Sequence, residues 1–283
     1  SLTNNQQSAL STPINKSVSF ETGSLFLAGK ISDNVGSFIQ VTYDRFAAPD
    51  ANGDNTIGHS NADNMDIRYA DQIVTPTTNL IYGVSLNNNP SVSDPWNTAA
   101  AWMNYVPATK GKGSNAYIDA NTPFPNNGSP GLVSGLTTYA FLNKTFYGEI
   151  GLYKTANRSL SFMNSGNDYN AIAGVNPYWR LAYNKEWGAQ NLMLGLSGAS
   201  MHPYDATNGV SFNDSASYSA TKSNGIDFQY QYLLDPHTVT VQTVYQHQVT
   251  SPSLQAVTAD PTQVPINANL YRVKGSYIYL AKY

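Results

Sequence analysis

Residues 224–248 read NGIDFQYQYLLDPHTVTVQTVYQHQ. Ile226, Phe228, Tyr230, Tyr232 and Leu234 are large and apolar or aromatic, and the intervening positions are Asp227, Gln229, Gln231 and Leu233. After Asp235-Pro236 the alternation resumes, with Val239, Val241, Thr243 and Tyr245 set against Thr240, Gln242 and Gln246. A period of two is the signature of a β-strand, and a short Asp-Pro break between two such runs predicts a hairpin. Each strand therefore has one greasy face, and the question is whether that face meets a protein core or lipid.

Working outward, the same pattern predicts strands near 16–31, 35–46, 65–74, 78–89, 129–144, 145–157, 174–188, 190–204, 222–235, 237–251 and 268–283. That is about eleven strands, mostly longer than the roughly 5–6 residues usual in soluble sheets. Short breaks fall at Ser32-Asp33-Asn34, Thr75-Pro76-Thr77, Asn143-Lys144, Gly188-Ala189 and Asp235-Pro236. Between them lie long polar segments, 47–64, 90–128, 158–173, 205–221 and 252–267, so short and long connections alternate along the chain. A transmembrane barrel has this grammar, with tight periplasmic turns and long external loops.

The faces agree with that reading. Trp179, Leu181, Tyr183 and Trp187 share one side of their strand, opposite Arg180, Asn184 and Glu186. Leu192, Leu194 and Leu196 oppose Met193, Gly195, Ser197 and Ala199. Tyr271, Val273, Tyr277, Tyr279 and Tyr283 oppose Arg272, Lys274 and Ser276. Each run is about ten residues long, enough to cross hydrocarbon at a tilt, and aromatics recur near strand ends as in a headgroup girdle. Backbone facing lipid has no water to pair with, so a closed ladder of strands is the form that survives there. The expected fold is all-β, a transmembrane antiparallel up-and-down barrel over 16–283, preceded by a lead-in at 1–15. A soluble all-β protein would instead have to bury those aromatic faces.

Parity adds an expectation. If short turns are periplasmic, strand 16–31 runs inward, and eleven strands is odd where bacterial single-chain barrels are even. The sequence thus predicts a barrel incomplete at its N-terminal end, with strands also missing after Tyr283.

Composition excludes several chemistries. The 283 residues carry a net charge of −3 and only 12% charged residues, with no basic cluster, so nucleic acid is not an expected partner. Cys is absent, which excludes disulfides, Cys-ligated zinc, thiol catalysis and a covalently attached haem within these residues. No catalytic constellation stands out, and the chain is read as non-enzymatic. The four His, at 59, 202, 237 and 247, lack metal-ligand spacing. In PDANGDNTIG (49–58), Asp50, Asn52 and Asp54 match the 1, 3, 5 spacing of a Ca²⁺ loop. Asn55 replaces the usual Gly and Asn61 the bidentate carboxylate, so an Asx-rich turn is the favoured reading and a weak Ca²⁺ site in an external loop the alternative. Glu149, Arg180, Glu186, Asp227, Arg272 and Lys274 fall on the polar faces of predicted strands, and lipid would make each costly, so they are expected to face the lumen. Their signs are mixed and predict no ion preference.

Three stretches, DNMDIRYA (63–70), LIYGVSLNNNPSVSDPWNTAAAW (80–102) and NPYWRLAYNKEWG (176–188), resemble a bacterial family often labelled c-type cytochromes. FETGSLFLAGKISDNVGSFIQVTYD (20–44) and YRVKGSYIY (271–279) are similar too, and the likeness covers most of 16–283. In that family a Cys-x-x-Cys-His haem segment leads into an outer-membrane barrel; the fused cytochrome–porins of iron-oxidising bacteria are related in design. The resemblance implies a bacterial outer-membrane location and a haem c segment just before a stretch like SLTN (1–4). It also implies further strands beyond 271–279 and periplasmic or extracellular cytochromes as partners. Two departures stand: no Cys-x-x-Cys-His occurs, and AWMNY (101–105) replaces an expected Gly-Phe-Pro-Tyr. The functions to weigh are an electron-conduit sheath, a passive diffusion porin, and a surface-binding or structural barrel.

Overall fold

A computed structural model describes residues 22–48, 57–90, 92–99, 133–163, 172–204 and 215–280. Eleven strands follow in chain order: β1 (Thr22–Lys30), β2 (Val35–Ala48), β3 (Ile57–Val74), β4 (Asn79–Asn87), β5 (Val133–Leu142), β6 (Phe146–Thr155), β7 (Asn176–Trp187), β8 (Gln190–Met201), β9 (Ala220–Leu234), β10 (His237–Ser251) and β11 (Ile266–Tyr279). They form one antiparallel up-and-down sheet in which each strand pairs with its sequence neighbours. Among the described residues β1 and β11 do not pair with each other, so the sheet is open. The one α-helix among them, α1 (Leu254–Ala259), is capped at Ser253, whose side chain accepts from the Ala256 N–H at 3.1 Å. No described helix is long and apolar enough to cross a membrane, which says nothing of strands.

All five short breaks are hairpins. Strand bounds match the sequence reading within a few residues except at β1, whose described part starts at Thr22, and at β3, which begins at Ile57 and not near 65. The first residues of β3, 57–64, carry little apolar alternation to betray a strand. They pair with β2 through a register shift between Gln40 and Val41, where Asn64 and Ala62 are the successive partners and Asp63 is the extra residue.

The ladder registers align rows of side chains across the sheet. One row runs Ala140–Gly148–Leu181–Leu196–Ile226–Tyr245–Tyr271, and the next Leu142–Phe146–Tyr183–Leu194–Phe228–Thr243–Val273. Most of their apolar members lie open, Phe228 and Tyr245 being half-buried: Leu181 is 55% exposed, Ile226 55% and Tyr271 74%. On the opposite face the row Gly83–Tyr139–Glu149–Arg180–Ser197–Gly225–Gln246 contains Glu149, Arg180 and Gln246, all buried. Among the described residues, buried polar side chains outnumber buried apolar ones. The distribution is inside out relative to a soluble domain.

Not every aromatic faces outward. Tyr139, Tyr147, Tyr153 and Tyr178 are buried on the polar face. Two of them cover glycines: an added Cβ at Gly135 would collide with the Tyr153 ring, and one at Gly83 with the Tyr69 carbonyl and the hydroxyl end of Tyr139. Glycine is needed here because it leaves the wall thin enough for the ring to lie along it.

Candidate functional site: a strap inside the curved sheet

Residues 88–90 and 92–99, the start of the long connection after β4, fold back against the polar face. The sequence dictates the bend. Asp94-Pro95-Trp96-Asn97 has Asp at the first and Pro at the second position of a β-turn. The Asn97 N–H donates to the Asp94 carbonyl at 3.1 Å, and Asn97 takes φ 51°, a conformation Asn tolerates better than most residues. The Asp94 carboxylate accepts from the Thr98 N–H at 3.1 Å, tying the two limbs together. Val92, Asp94, Trp96 and Thr98 are buried, while Pro95 and Asn97 between them are exposed.

Trp96 is the tip. It lies at the level of the row Asn184–Met193–Gln229–Gln242. Its indole N–H donates to Asn184 Oδ1 at 3.2 Å and its carbonyl accepts from Gln242 Nε2 at 2.9 Å. Its ring meets Phe141 and Tyr147 edge-on, with centroids 5.7 and 5.5 Å away. Higher up, the Thr98 hydroxyl donates to Asp227 Oδ2 at 2.6 Å and the Thr98 carbonyl accepts from Arg272 at 3.1 Å. The strap therefore touches β5, β6, β7, β9, β10 and β11 at once. In a flat sheet β5 and β11 would lie six ladder spacings apart, roughly 29 Å. Contact with both requires a strongly curled sheet with the strap in its hollow.

Arg180 fastens the strap. Its side chain is fully buried, with Nη1 donating to Asp227 Oδ1 at 2.8 Å and Nη2 to Asp227 Oδ2 at 2.9 Å. Its Nε lies 2.7 Å from Asp94 Oδ1, and the guanidinium sits 5.7 Å from the Trp96 ring centroid. One planar fork thus ties β7, β9 and the strap, a geometry for which a lysine has too few directed donors. Burial pushes the Asp94 carboxyl above its ordinary range, and the Arg180 charge draws it back only in part.

A second polar cluster lies toward β3. Arg68 Nη2 donates to Asp66 Oδ2 at 2.8 Å and the guanidinium covers the Tyr139 ring at 4.7 Å. Ser85 donates to Asp66 at 3.0 Å. Cross-strand bonds run across the rest of the polar face: Tyr153 to Asn87 at 2.8 Å, Asn87 to Thr137 at 2.8 Å, Gln246 to Ser223 at 2.6 Å.

Of the six charged residues predicted for the lumen, Arg180, Asp227 and Glu149 are buried on this face; Glu149 accepts from the Tyr147 hydroxyl at 2.9 Å. Arg272 is half-buried and holds the strap. Glu186 and Lys274 are exposed; Glu186, next to the β7–β8 turn, accepts from Asn191 at 3.4 Å. Only Arg180, Asp227 and Arg272 converge. Asp50, Asn52 and Asp54 lie outside the described residues. Among the described residues no group of three His, Asp or Glu is arranged to hold a metal ion. His237 packs on Tyr277 and Tyr279, and His247 bonds Asn269 at 2.8 Å. Sequence reasoning missed Asp94, Trp96 and Thr98; the Asp-Pro-x-Asn turn inside an otherwise polar segment was the available signal.

What the residues define is a class by architecture: an all-β, antiparallel, up-and-down sheet with a polar hollow and an apolar exterior. Compared with known proteins, the chain matches no family model, no curated protein and no solved structure.

Proposed function

We propose that this chain forms the wall of a bacterial outer-membrane β-barrel and acts as the porin-like sheath of an electron conduit. The observation that carries the membrane reading is the outer row Leu181–Leu196–Ile226–Tyr245–Tyr271, exposed except at half-buried Tyr245, backing an inner row with Glu149, Arg180 and Gln246. An apolar surface of that extent on a monomer in water would be an association hazard; in lipid it is the stabilising surface. The curled sheet supports the sheath reading, because a polar hollow can enclose an element and keep lipid from it.

The electron-transfer part rests on the resemblance carried by 63–70, 80–102 and 176–188. The haem c would be attached to a Cys-x-x-Cys-His segment outside these residues, with periplasmic or extracellular cytochromes as donor and acceptor. The second reading is a passive diffusion porin, favoured by the polar lining itself. A haem-stained denaturing gel of the full gene product separates the two, since only covalent haem survives denaturation. A stained band in the outer-membrane fraction supports the conduit. An unstained band from a protein that swells liposomes in small sugars overturns it in favour of the porin.

A further inference from the structure

We propose that the strap, residues 92–99, is a gate that narrows the lumen, and that Arg180 is its latch. The inference rests on the barrel reading and goes beyond it, since neither a sheath nor a sieve requires a movable element.

Three observations converge on it. First, beside the apolar seat of the Trp96 ring on Phe141 and Tyr147, the strap is fastened by polar contacts along its length: Asn184 and Gln242 at the Trp96 tip, Asp227 and Arg272 at Thr98, and the Arg180 ion pair at Asp94. Hydrogen bonds and ion pairs of this kind can be exchanged for water one by one, which leaves the single aromatic seat as the apolar contact to be broken. Second, the strap lies across the hollow and spans from β5 to β11, so its presence divides the interior. Third, the wall is shaped to receive the latch. Arg180 on β7 reaches Asp227 on β9 across the strand between them because residue 195 there is glycine; a Cβ at that point would strike the Asp227 carboxylate. Asp94 and Asp227 share that one guanidinium, and Arg272, held at the Thr98 carbonyl, adds a second cation, so the latch is a compact cluster of two acids and two arginines. A strong electric field or a charged solute entering the hollow therefore acts on it directly.

The test is single-channel recording of the full chain in planar bilayers. Because the sequence contains no Cys, a Thr98→Cys/Asp227→Cys pair introduces the only two thiols, at positions whose side-chain oxygens are 2.6 Å apart. Reduced, this variant has lost the Thr98–Asp227 bond and the Asp227 half of the Arg180 latch, and should conduct more than the parent. Oxidised, it is tethered, and conductance should fall to the parent level or below, reversibly with dithiothreitol in the same channel. Arg180→Met, which also frees Asp94 on the strap, should conduct several-fold more than the parent. Toggling within one molecule separates gating from misfolding. Channels that insert but whose conductance ignores both the tether and Arg180→Met overturn the gate and leave the barrel intact. A chain that never enters the bilayer overturns the barrel reading and the gate with it.

Discussion

Arg180 and Asp227, 47 residues apart in sequence, meet as a bidentate pair at 2.8 and 2.9 Å over the backbone of Gly195. Both side chains are essentially inaccessible to solvent. Removing the cation strands two buried carboxylates, so Arg180→Met should cost about 3–5 kcal/mol. Arg180→Lys, which keeps the charge but not the fork, should lose less. Denaturant unfolding of the protein in lipid vesicles measures both, and a loss under about 1 kcal/mol for Arg180→Met would mean the pair is not structural.

Gly195→Ala reaches the same contact from the wall. The added methyl would collide with the Asp227 carboxylate without changing any charge. Overpacking of this kind costs about 1–3 kcal/mol. Because the two changes damage one contact, the double variant Gly195→Ala/Arg180→Met should fall short of the sum of the singles. Gly148→Ala is the control: its Cβ would sit 3.7 Å from Leu181, ordinary contact, and stability should move by less than about 0.5 kcal/mol.

The wall was legible in the sequence and the strap was not, for one physical reason. A strand in a two-faced sheet repeats its environment every second residue, so Ile226, Phe228 and Tyr230 against Asp227 and Gln229 report their faces locally. Hairpin breaks such as Gly188-Ala189 also announce themselves locally, and Gly188 does take φ 56°. Arg180 was placed on a polar face by the same alternation, but its partners are 86 residues before it and 47 after it. Nothing periodic links Asp94 to that position. The inward tyrosines escaped because Tyr fits both environments, an apolar ring with a polar tip, and only the glycines beneath Tyr139 and Tyr153 distinguish them. The early start of β3 escaped because a strand whose pattern is polar and bulged carries no alternation to read.

Charge on the outer face discriminates lipid from water. Leu181 is 55% exposed, so in an aqueous protein Leu181→Arg would change stability by no more than about 0.5 kcal/mol. At the middle of a bilayer the same change should cost about 2–4 kcal/mol, whereas Leu234→Arg, beside the β9–β10 turn, should cost about 0–1 kcal/mol. Reversible unfolding from vesicles gives both values. Equal, small losses would remove the membrane from the account.

Tryptophan quenching examines both faces in one measurement. Trp179 and Trp187 are 38% and 39% exposed; Trp179 lies on the apolar outer face, where its ring covers Gly198. Trp96 is 7% exposed and seated in the hollow against Asn184, Tyr147 and Phe141. Bromine atoms on acyl chains quench an indole only at close range, so they report which rings touch hydrocarbon. In single-tryptophan variants reconstituted into brominated phosphatidylcholine, Trp179 should be strongly quenched and Trp96 hardly at all. Trp187, next to the β7–β8 turn, should respond to bromines near the headgroup and little to those near the bilayer centre, as an interfacial aromatic does. Aqueous acrylamide should reach Trp96 more readily after Arg180→Met, because freeing Asp94 lets the tip leave its bond to Asn184. Equal quenching of Trp96 and Trp179 by brominated lipid would mean that the two faces share one solvent, and the inside-out reading of the sheet would fall.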